Sequence, residues 1–86
     1  MNPDDDAAYS LEVFARISGV ETETILHYQE LGLLRPLPDS GDHFDDEALR
    51  TLRRIEHLRD TCGVNETGIR LILDLLDELD RLRAAQ

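Results

Sequence analysis

The stretch Tyr9 to Pro36, YSLEVFARISGVETETILHYQELGLLRP, decides the fold. Leu11, Phe14, Ala15 and Ile17 fall on one side of a first short helix, for which Ser10 is the N-cap. Gly19 ends it, as a residue able to take positive φ after a helix. A second helix, Thr22 to Leu31, turns Ile25 and Tyr28 inward, with Leu31 a third candidate, and Gly32 closes it. Two short amphipathic helices joined by Ser18-Gly19-Val20 make a helix-turn-helix, whose second helix ordinarily enters a DNA major groove. The charge opposes that use. Nine Lys+Arg stand against 19 Asp+Glu, a formal net charge of -10, and DNA repels such a surface unless its basic residues gather on one face.

Downstream, Leu33-Leu34-Arg35-Pro36-Leu37 is too apolar for a free loop and is followed by the turn chemistry of Asp39-Ser40-Gly41-Asp42. With His43-Phe44 returning as a second short strand, this predicts a two-stranded wing. Asp45 caps a third helix with Asp46 and Glu47 in its first turn, where the helix dipole favours negative charge. Its apolar positions run Ala48, Leu49, Leu52, Ile55, Leu58 and Cys62 before Gly63. Asn65 caps the last helix, which runs to about Arg83. The fold class expected is all-α: a winged helix-turn-helix with four helices and a short two-stranded wing. Residues 1–8 read as an acidic, flexible lead-in, and 9–86 as one domain with a C-terminal interface helix.

The last helix carries more apolar surface than one core can use. Ile69 through Leu82 spread over an arc of roughly 200° at ~100° per residue, about twice what a surface helix needs. Leu71, Leu75 and Leu82 form the surplus flank, and 86 residues offer little to cover it, so these three are the candidate contacts of a homodimer.

Beside these residues stands a resemblance. The run Thr24-Ile25-Leu26-His27-Tyr28-Gln29-Glu30-Leu31-Gly32-Leu33-Leu34, with the order helix-turn-helix, wing, helix, helix, resembles the MerR-type winged-helix domain over about residues 9 to 76. In that family the residue after Thr-Ile is usually an arginine that meets DNA, and the wing carries arginine before an aromatic. Here those places hold Leu26, Asp42 and His43. The family's long coiled-coil helix and effector region are also expected to be missing, since the chain ends at Gln86. Phe44-Asp45-Asp46 and Gly68-Ile69 through Leu79 are similar to the short chaperone-modulator, CbpM-like branch. That resemblance implies binding to the J-domain of a DnaJ/CbpA-like co-chaperone and inhibition of its stimulation of DnaK. J-domains generally present a basic helix, which an acidic surface complements. Glu21, Glu23, Glu30, Asp45 and Asp46 are the candidate contacts. The rival reading is a MerR-type transcriptional regulator that binds DNA as a dimer.

Other functions find little support. His27, His43, His57 and Cys62 match no zinc spacing, and Cys62 at helix spacing reads as a small buried hydrophobe. No phosphate loop, nucleophile elbow or catalytic triad order is present, so neither an enzyme nor a cofactor is expected. Arg50, Arg53, Arg54 and His57 are the one basic cluster; such faces usually pair with nearby acids, here Asp46 with Arg50 and Asp77 with Arg81 on the last helix. With no apolar run near the ~20 residues of a membrane span and no signal peptide, a cytoplasmic protein is expected.

Overall fold

Four helices follow one another in the computed structural model, which describes residues 8–39, 41 and 43–85: α1 (Leu11–Ser18), α2 (Thr22–Glu30), α3 (Asp46–Asp60) and α4 (Glu66–Ala84). The expected lead-in lies outside the described residues except for Ala8, which is exposed. The chain divides inside α3 into two compact units, Met1–Arg54 and Ile55–Gln86.

Helix ends sit where local chemistry puts them. Ser10 Oγ accepts from the Val13 N–H at 3.3 Å, Asp45 Oδ1 from Ala48 N–H at 2.9 Å, and Asn65 Oδ1 from Gly68 N–H at 2.9 Å. Each satisfies one of the amides that a helix start leaves unpaired. After α2, Gly32 takes φ 77 and its N–H reaches Gln29 C=O at 3.0 Å, while Leu33 N–H reaches Tyr28 C=O at 2.9 Å. This double closure turns the chain back, so that Leu33 and Leu34 bury beside the helix they leave.

In the first unit α1 packs on α2. Phe14, Ile25, Tyr28, Leu34, Phe44 and Leu52 are fully buried there. The Phe14 and Phe44 rings stack with centroids 4.6 Å apart and planes 14° from parallel. Phe44 is also fixed through its backbone: it exchanges both hydrogen bonds with Tyr9, at 2.7 and 2.8 Å. In the second unit Ile55 and Ile69 are the fully buried side chains.

Three expectations need correction. The two-stranded wing is not formed, since no strand occurs among the described residues. Leu37 N–H does reach His43 C=O at 2.8 Å, but a ladder has no room to grow from that pair. Toward the tip, Asp39 has already turned to φ 61; toward the base, Asp45 is spent as the cap of α3. Phe44, between them, pairs with Tyr9 instead. Ile17 is exposed, lying about 110° round α1 from the centre of the Leu11, Phe14 and Ala15 face. Cys62 is exposed as well: α3 ends at Asp60, and the chain leaves through Gly63 at φ 68, so helical spacing no longer places the thiol.

Phe44→Ala would remove one ring of the stack from a fully buried site. A loss of about 3–5 kcal/mol in urea unfolding is expected. Gly19→Ala, where an added Cβ would meet nothing within 4 Å but must take φ 74, should cost about 1 kcal/mol.

Candidate partner-binding surfaces

Geometry on α2 follows from its two anchors. Ile25 and Tyr28 point inward and are completely covered. At about 100° per residue, the face opposite them carries Glu23, Leu26, His27 and Glu30. All four are exposed. Glu21, at the N-cap of α2, makes no capping bond with its side chain and is exposed too. The turn before it is stiff: Gly19 N–H bonds to Ala15 C=O at 2.9 Å, and Ser18 Oγ both donates to Ala15 C=O and accepts from Val20 N–H, at 3.2 Å each. The turn thus fixes the entry into α2, whose exposed face carries the carboxylates of Glu23 and Glu30.

The other two candidate acids have work inside the fold. Asp45 is half-buried and holds the Ala48 amide. Asp46 accepts a 2.6 Å hydrogen bond from the Tyr9 hydroxyl, which ties the residue just before the α1 cap to the start of α3. The expected Asp46–Arg50 pair is replaced by this bond, and Arg81 pairs with Glu78 at 3.2 Å rather than with Asp77. Arg50, Arg53 and Arg54 are exposed on α3 and join no ion pair among the described residues. Of the positions that usually meet DNA, Leu26 and His43 are exposed and Asp42 lies outside the described residues.

On α4 the surplus flank is bare. Leu71, Leu75 and Leu82 are 60%, 65% and 56% exposed. Leu79, 47% exposed, completes the stripe, within about 80° of arc. Its place four residues after Leu75 was the available signal for including it. Ile72, Leu73 and Leu76 are half-buried on the adjoining face. Among the described residues no group of His, Cys, Asp and Glu could hold a metal ion, and no helix is long and apolar enough to cross a membrane.

The pattern of the MerR HTH family regulatory proteins matches residues 9–76. The chain belongs to this family. Within it, the sequence is 31% identical over 77 residues to the chaperone modulatory protein CbpM of Salmonella arizonae, covering 87% of this chain and 76% of that protein. CbpM of Salmonella newport matches to the same degree. A heat shock protein HspR from Streptomyces coelicolor is 29% identical over 83 residues, or 94% of this chain, which spans 55% of that relative's length. These relatives support placement in the CbpM-like branch.

Carboxylates in place of cations on the exposed face of α2 have a measurable consequence. Each phosphate a protein neutralises adds to the salt dependence of its binding. A gel shift with promoter and random duplexes at about 150 mM salt should give no specific complex. A submicromolar shift that weakens steeply with salt would overturn this expectation.

Proposed function

We propose that the protein is a non-enzymatic, cytoplasmic modulator that binds the J-domain of a DnaJ/CbpA-like co-chaperone and inhibits its stimulation of DnaK. One observation carries the reading: the presenting face of α2 holds Glu23, Leu26, His27 and Glu30, with Glu21 at its start, where a DNA reader needs cations. The relatives named CbpM support it. A basic J-domain helix is the complement of such a face, and opposite charge both speeds encounter and excludes wrong partners. Among the described residues, the side chains of Glu21, Glu23 and Glu30 make no hydrogen bond or ion pair within the fold, which leaves them to a partner. Asp45 and Asp46 would add charge at the edge while still serving α3 and Tyr9.

Regulation of transcription as a DNA-binding dimer is the second reading. The exposed Arg50, Arg53 and Arg54 on α3 and the match to the MerR HTH family regulatory proteins favour it. Three arginines on one helix, however, face a net charge of -10 on the whole chain.

The proposed active form is a homodimer joined through Leu71, Leu75 and Leu82, with Leu79 in the same stripe. These side chains are more than half exposed or nearly so, and a second α4 would remove them from water.

Calorimetry with a purified CbpA-type J-domain tests the partner. Glu23→Arg with Glu30→Arg should weaken binding about 10- to 100-fold, and the wild-type on-rate should fall as salt shortens the Debye length below about 8 Å. Asp77→Arg, opposite the leucine stripe on α4, should change affinity by less than about twofold. The double variant should release DnaK ATPase stimulation in step with its lost affinity; unchanged binding and inhibition would refute the acidic-face reading. For the dimer, Leu75→Glu places a charge where the free chain is already wet, so helical circular dichroism should persist. Light scattering should then report a monomer for the variant, and a wild type that is itself monomeric at micromolar concentration would end the dimer proposal.

A further inference from the structure

Leu26 is not among the buried residues of the core. The two residues that seat α2, Ile25 and Tyr28, turn it so that Leu26 faces outward, 42% exposed, in the middle of the helix. A single exposed leucine is ordinary on a protein surface. What sets this one apart is its surround. Glu23 lies three residues before it and Glu30 four after, the two spacings that bring helical side chains together, and both carboxylates are exposed. An apolar centre with charged groups about it has the composition of a binding hot spot, in which the rim keeps water away from the anchor.

We infer that Leu26 is the apolar anchor of the partner-binding face, and that the occupant is a basic helix whose long cationic side chains straddle it. The chemistry is self-consistent. Lys and Arg carry three- or four-carbon stems that lie along apolar surface while their heads stay polar. Stems laid over Leu26 would cover it, and the heads would reach Glu23 on one side and Glu30 on the other. The partner then needs no apolar patch of its own. An arginine at this position would repel the same helix, so one side chain separates a face that accepts cations from a face that accepts phosphates. The inference rests on the J-domain reading, for which the occupant is the basic J-domain helix.

Binding kinetics of the full chain with a purified CbpA-type J-domain test it. Leu26→Ala keeps a good helix former at an exposed site, so circular dichroism and melting should match the wild type. Affinity should fall about 10- to 30-fold, through a faster off-rate and with the salt dependence unchanged. Leu26→Met, apolar and flexible, should stay within about threefold of wild type. Glu23→Gln with Glu30→Gln should show the opposite pattern, a slower on-rate with a flatter salt dependence. If Leu26→Ala binds as the wild type does, the anchor is refuted while the J-domain reading stands. If the wild type binds no J-domain, the reading falls and takes the anchor with it.

Discussion

Phe44 is held from three sides. Its ring stacks on Phe14 at 4.6 Å, its amide and carbonyl both pair with Tyr9, and the next residue caps α3. Tyr9 in turn sends its hydroxyl to Asp46. One aromatic residue thereby joins the chain before α1, the inner face of α1 and the start of α3. Burial of two phenylalanines, each worth roughly 1.5–3 kcal/mol when removed from water, is a large share of what a domain this small can draw on. The hydrogen bonds contribute less energy than position: they decide which ring Phe14 meets.

With that arrangement in place, the outward side of α2 is released from structural duty. Ile25 and Tyr28 carry the packing, and the closure at Gly32 carries the exit. Glu23, Leu26 and Glu30 can change without disturbing either. This separation explains how one scaffold serves DNA readers and, on the reading proposed here, a protein-binding modulator. The inner face specifies the fold, and the outer face is free to specify a partner.

What the sequence disclosed divides along the same physical line. Caps at Ser10, Asp45 and Asn65 and the left-handed glycines Gly19, Gly32 and Gly63 were legible, because a cap depends on residues three or four places away. The inward set Phe14, Ile25, Tyr28, Ala48, Leu52 and Ile55 was legible from helical spacing. The bridge found in place of the expected wing was not, because Phe44 pairs with a residue 35 positions earlier, and no local pattern announces Tyr9 as its partner. The second roles of Asp45 and Asp46 were half visible: the cap could be read, the Tyr9 bond could not. Cys62 misled because its spacing was counted past the true end of α3.

The Tyr9–Phe44 pairing also bears on how the domain comes into being. A chain cut after Pro36 would contain both helices of the helix-turn-helix, yet Phe14 would have no ring to stack on and Tyr9 no backbone to pair with. The motif is not a portable cassette. Contacts this far apart in sequence form only after the intervening loop has closed, so α1 and α2 are expected to wait, loosely associated, until the residues after the turn arrive. Grafting the proposed binding face onto another protein therefore means carrying the segment through Leu52 along with it.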